Sequence, residues 1–169
     1  YITAGITGRV TGITVHDSSP EKVAISTSNG TAKVYKSTNA GATWTNFHRS
    51  LPNISANTIV FQNGSDEGMY VGMDVGIYYI DNSMTAWVPF MTNIPNVKIY
   101  ELEIHHASKK IRAGTHGRGL WQSPLYEAGG NVAPLVNITA PANNATFTAP
   151  RAKAPFHPGL FLAGSVFLR

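Results

Sequence analysis

The stretch Ser37-Thr38-Asn39-Ala40-Gly41-Ala42-Thr43-Trp44 decides the fold of this chain, because each residue type in it suits one tight turn. An Asn side chain accepts hydrogen bonds from backbone N–H groups a few residues on, which closes a turn locally. Gly41 supplies a positive φ at little steric cost, and Thr43 and Trp44 lead straight back into a strand. The segment is thus a hairpin connection whose Trp anchors the returning strand in a core.

The same pattern returns further along. Trp44 recurs as Trp87 and Asn39 as Asn82, a step of about 43 residues, the length of one propeller blade. The segment from Ile80 to Trp87 reads as a decayed copy of the first turn, with Met84 in place of the glycine. Two further registers keep the step: Ile59-Val60-Phe61 returns as Leu102-Glu103-Ile104, and Gly76-Ile77-Tyr78 as Gly119-Leu120-Trp121.

Each unit holds short alternating runs separated by turn residues. The first comprises residues 12–16, 22–28, 32–37 and 43–47; the second 57–62, 68–73, 76–80 and 86–90; the third 98–106, 110–114 and 119–123. Ile13/Val15, Val23/Ile25, Ile59/Phe61, Met69/Val71 and Leu102/Ile104 fall two apart, as half-buried strands require. Four-stranded antiparallel sheets repeated radially make a β-propeller. The expected fold is therefore all-β: propeller blades in an incomplete ring, with a short C-terminal extension. A last unit of three strands fits a ring in which a segment upstream of Tyr1 donates the missing strand.

The first turn resembles the Asp-box, or bacterial neuraminidase repeat, S-x-D-x-G-x-T-W, of sialidase-like, sortilin-like and xyloglucanase-like propellers. Ser37, Asn39, Gly41, Thr43 and Trp44 match it, with Asn39 where the family usually has Asp; Asn82 and Trp87 match the second copy. Val71-Gly72-Met73-Asp74-Val75-Gly76-Ile77-Tyr78 resembles the G-T-D-x-G-V-Y hairpins of the sortilin-like and xyloglucanase-like branches. The resemblance implies C-terminal blades of a secreted or cell-surface, bacterial, glycosyl-hydrolase-like protein. The box itself marks a fold and leaves activity open.

Composition agrees. With 16 Gly, 10 Pro and few charges, the balance is that of turn-rich all-β proteins. The absence of cysteine excludes a disulfide framework and a thiolate metal site. The net charge of +4 is misleading, because up to Pro150 ten Lys and Arg face nine Asp and Glu. No nucleic-acid footprint follows from it. The longest apolar run, Gly159 to Leu168, is about half of the ~20 residues a membrane helix needs. Residues 1–126 are expected to be blades and 127–134 a Gly-rich linker ended by Pro134. Residues 135–150 resemble the start of a bacterial Ig-like domain, and 151–169 form an irregular tail that a truncated or frameshifted end, or a short natural one, would explain.

Propeller geometry puts the boxes on one face and the other hairpin tips on the opposite face, where propellers usually bind ligands. There Asp74 is either an acid, base or sugar ligand, or the cap of its own turn. His116 and Arg118, in the equivalent hairpin of the last unit, either contact a ligand or decorate a Gly-rich turn. Glycoside hydrolysis usually needs two carboxyl groups about 5–9 Å apart across one bond. The carboxylates show no such local pair on that face, and no motif gathers the arginines. No catalytic residue, cofactor or metal site is therefore expected in this segment. His105 and His106 point to opposite faces of a strand, so at most one could join His116. Expected partners are a polysaccharide or glycoconjugate, the remaining blades of a parent chain and, for the isolated segment, further copies of itself. A non-catalytic sortilin-like module for protein or surface adhesion is the alternative.

Overall fold

The computed structural model describes residues 5–127, so the linker from Ala128, the Ig-like stretch and the tail lie outside the described residues. All described residues fall in one compact unit. They form antiparallel sheets, with a single 3-10 turn at His106–Ser108 and no α-helix among them. No helix among them is long and apolar enough to cross a membrane.

Blade 1 is a four-stranded sheet of β1 (Arg9–His16), β2 (Ser19–Ser28), β3 (Val34–Ser37) and β4 (Thr45–Asn46), paired in that order. Blade 2 repeats the order with β5 (Ala56–Phe61), β6 (Met69–Met73), β7 (Ile77–Ile80) and β8 (Val88–Pro89). Blade 3 has three strands, β9 (Ile99–His105), β10 (Lys110–Thr115) and β11 (Leu120–Pro124), with β10 central. Matching registers tie the repeat together: Ile25 pairs Tyr35 in blade 1 as Val71 pairs Tyr78 in blade 2.

The first strands of the blades, β1, β5 and β9, lie side by side, and each blade stacks on the next. Ala24 and Val34 of blade 1 meet Ile59, Phe61, Met69, Val71, Met73, Ile80 and Trp87 of blade 2 in one core. Tyr70, Ile77 and Tyr79 of blade 2 meet Ile99, Leu102, Ile104, Ile111 and Ala113 of blade 3 in a second. Alternation sends the side chains of one blade into both seams, so the central blade is apolar on both faces. In the second seam Gly72 is a close-approach position. A Cβ there would lie 2.7 Å from both Ile99 Cγ2 and Thr58 Cγ2.

Two expectations change. Ile13 and Val15 are 59% and 51% exposed rather than half-buried. The reason is register. Thr11 Oγ1 donates to the Ala56 carbonyl at 2.8 Å, and the Phe61 N–H donates to Thr14 Oγ1 at 3.2 Å, so the polar set of β1 faces blade 2. Thr11 is the extra residue of a bulge between Val10 and Gly12, so alternation counts from Thr14 and sends Ile13 and Val15 the other way. Trp44, expected in a core, is half-buried on that same flank against Ile25, Ala32 and Tyr35.

The outward face of blade 3 differs again. Glu101, Glu103 and Gln122 are exposed on it, with Arg112 reaching Gln122 Oε1 at 3.3 Å. An apolar flank therefore belongs to blade 1 and not to the last blade, where only Leu120 adds a large exposed aliphatic group.

Candidate functional site

Three hairpins point their tips at one end of the stack. Each is closed by the same backbone bond: Thr27 N–H to the Lys33 carbonyl at 2.9 Å, Met73 to Gly76 at 3.0 Å, and Thr115 to Gly119 at 3.1 Å. The tips are held against chain entering a first strand, that of the same blade for Asp74 and His116 and that of the next blade for Gly76. Asp74 N–H donates to the Ser55 carbonyl at 3.0 Å, Gly76 to Val97 at 3.2 Å, and His116 to Lys98 at 2.9 Å. Loop backbone fixed by main-chain bonds positions the side chains at this end.

Those side chains form a row. Asp74 Oδ1 accepts from Asn57 Nδ2 at 3.1 Å and lies 3.0 Å from Lys98 Nζ. Lys98 Nζ stands 5.5 Å from the centroid of the Tyr100 ring. The Tyr100 hydroxyl is 3.0 Å from His116 Nδ1, and the two rings meet edge to face. Partial burial pulls the Asp74 carboxyl upward, but the Lys98 ammonium and the Asn57 amide outweigh it and hold it below its usual range. Asp74 is thus an ionised acceptor with Oδ2 free of any described partner. Tyr100 keeps 52% of its surface exposed.

Asp74 and His116 are therefore brought into one row, four residues long, through Lys98 and Tyr100. Arg118 is not. Its side chain is exposed, and only its carbonyl is used, accepting from Trp121 Nε1 at 2.9 Å. Sequence reasoning misses Lys98 and gives Tyr100 only as one of six strand aromatics able either to stack on sugar rings or to pack in the blades. What singles the two out is position: both sit where a crossover enters the first strand of a blade, opposite a hairpin tip. An irregularity in the ladder between Gly114 and Thr115 leaves Tyr100 outside the regular pairing and turns it outward.

The turns resembling the Asp-box lie at the opposite end. Ser37 Oγ accepts from the N–H groups of Asn39 and Gly41 at 3.2 and 2.9 Å and donates to Asn39 Oδ1 at 2.9 Å. Thr43 N–H donates to the same Oδ1 at 2.8 Å, and Asn39 Nδ2 to Thr43 Oγ1 at 2.9 Å. Gly41 takes φ +86°. In the second turn the bonds run through Asp81 and not Asn82. Asp81 Oδ1 accepts from Ser83 N–H and Oγ–H at 2.9 and 2.6 Å, while Asn82 reaches across to Asp66. Without a glycine the turn closes one residue earlier. Trp87 is buried in the seam, its Nε1–H donating to the Phe47 carbonyl at 3.1 Å.

His105 and His106 lie at the far end of β9, bonded to Ser108 and near Asn63 respectively, away from His116. No group of three His, Asp or Glu that could hold a metal occurs among the described residues.

No protein-family model matches this chain, and no curated protein does. Among solved structures, it is similar to the extracellular domain of a protein from B. thetaiotaomicron described as a hybrid two-component system, at 19% identity and a TM-score of 0.52. The match takes in 70% of this chain and 16% of that one, and that neighbour has a β-propeller-like sheet fold. At that identity the likeness concerns the fold alone.

Proposed function

We propose that these blades are a non-hydrolytic carbohydrate-binding part of a larger secreted or cell-surface propeller of the Asp-box kind, with the hairpin-tip end as the binding face. One observation carries the reading: the row Asp74–Lys98–Tyr100–His116. Sugar recognition asks for an ionised carboxylate to accept from hydroxyl groups and an exposed aromatic ring to lie against C–H faces. Asp74 Oδ2 and the Tyr100 ring offer these side by side on one surface. Asp74, paired with Lys98 and held below the usual carboxylate range, is unsuited to donate a proton near neutral pH, which favours binding over acid catalysis. The extracellular setting of the structural neighbour and the bonding of the turn at Ser37–Thr43 support the wider assignment.

Affinity electrophoresis through gels containing a panel of soluble neutral polysaccharides tests this. Retardation by at least one polysaccharide, lost in both Asp74→Asn and Tyr100→Ala with the melt unchanged, is the expected result. No retardation across the panel, or retardation indifferent to both substitutions, would remove this face from consideration.

A further inference from the structure

Beside the row, between blades 1 and 2, lies an open cleft of about 790 Å³ bordered by Asn29, Lys33, His48, Asn53 and Asp74. Lys33 is out of place in it. Its equivalents by the closing hairpin bond are Gly76 and Gly119, both at positive φ, whereas Lys33 is not. The hairpin of blade 1 is longer and does not require positive φ at this point.

Lys33 is nonetheless 4% exposed, and its Nζ has one partner, the Gly30 carbonyl at 2.6 Å. An ammonium carries three donors, and placing a cation away from water without an opposite charge is costly. Among the described residues no carboxylate lies within ion-pair distance of it. His48 borders the same cleft, and its Nδ1 is buried without a hydrogen-bond partner. An ammonium with a single partner and an unpartnered imidazole nitrogen thus border one opening that Asp74 also lines.

We propose that this cleft binds an acidic sugar unit, its carboxylate seated on Lys33 Nζ and His48 Nδ1 and its hydroxyls directed to Asp74 Oδ2. The anion follows from Lys33 and His48 alone. The sugar rests on the carbohydrate-binding reading of the neighbouring row.

Methyl β-D-glucuronide and methyl β-D-glucoside differ only in a carboxylate against a hydroxymethyl group, so they separate the two claims. Titration of the full chain, followed by backbone and side-chain NMR shifts, is expected to show glucuronide binding tighter by about tenfold or more, the scale of one charge-assisted bond. The shifts should centre on Lys33, His48 and Asp74. Lys33→Arg should keep the preference and Lys33→Met should erase it; should Lys33→Met fail to fold, the comparison of ligands on the unaltered chain decides. Equal binding of both glycosides, or shifts mapping elsewhere, would overturn the acidic-sugar site and leave the neutral-polysaccharide test untouched. Acetate binding as tightly as glucuronide would likewise overturn it, reducing the cleft to an anion site without sugar selectivity.

Discussion

Two tryptophans at equivalent places meet different surroundings, and that difference is measurable. Trp87 is 5% exposed and fills the seam between blades 1 and 2, edge-on to Phe47 at 6.1 Å. Trp44 is half-buried on the flank of blade 1. Trp87→Ala should therefore destabilise the chain by about 3–5 kcal/mol, as for other buried Trp truncations. Trp44→Ala should cost less, on the order of 1–3 kcal/mol, because less surface leaves water on folding. Denaturant midpoints check the order, and equal losses would contradict it.

Glu67 is a second residue-scale case. Its carboxylate sits between Lys22 Nζ at 2.7 Å and Lys36 Nζ at 2.6 Å, joining the two blades. Burial alone would raise its pKa, yet the bonds from Lys22 and Lys36 win and bring it down to about 2. The folded pKa lies below the unfolded one, so the stabilisation is complete above about pH 4.5 and is lost as pH falls towards 2. Glu67→Gln should cost about 1–3 kcal/mol at neutral pH and weaken the acid dependence of the melt. A variant with the parent's acid limb intact would show that the pair contributes nothing.

At the scale of elements, each seam has a close-approach glycine: Gly12, whose Cβ would lie 3.2 Å from the Ile59 nitrogen and the Thr58 Cα, in the first, and Gly72 in the second. Gly72→Ala places a methyl 2.7 Å from two branched side chains, Ile99 and Thr58, neither of which can swing clear of the seam. It should destabilise by about 1–3 kcal/mol through overpacking, readable as a lower melting temperature. A neutral or stabilising outcome would mean that blades 2 and 3 part easily. The strands themselves are legible in the sequence because alternation and turn residues punctuate them; all eleven lie within or across the runs expected. The sense of each face is less legible. Period two says that Ile13 and Val15 share a face, but only the contacts of Thr14 and His16 with Phe61 of blade 2 say which one. Nor can spacing foresee that the second turn closes through Asp81. The binding face is half legible: Asp74 and His116 stand out on hairpin tips and Tyr100 is one strand aromatic among six, while Lys98 and Lys33 read as ordinary strand residues. What joins them is contact between different blades, which periodicity along the chain does not encode.

For the whole molecule, the telling comparison is among three apolar pairs on the first strands. Ile59/Phe61 and Leu102/Ile104 each face the preceding blade and are 6% exposed or less. Ile13/Val15 face the same way in blade 1 and stand open, with Val10 also 40% exposed beside them. The flank of blade 1 is built as a seam, and exposed apolar faces and free edges of this kind recruit other chains. In the larger propeller proposed above a further blade would cover it, and in the chain on its own a second copy should take that place. Light scattering of the full chain against concentration tests this most directly. The mass should rise well above the 18.2 kDa of one chain, and Ile13→Lys with Val15→Lys should return it to 18.2 kDa with the melt preserved. A cooperatively melting monomer at every concentration, with the unaltered flank, would contradict the reading of these blades as part of a larger ring.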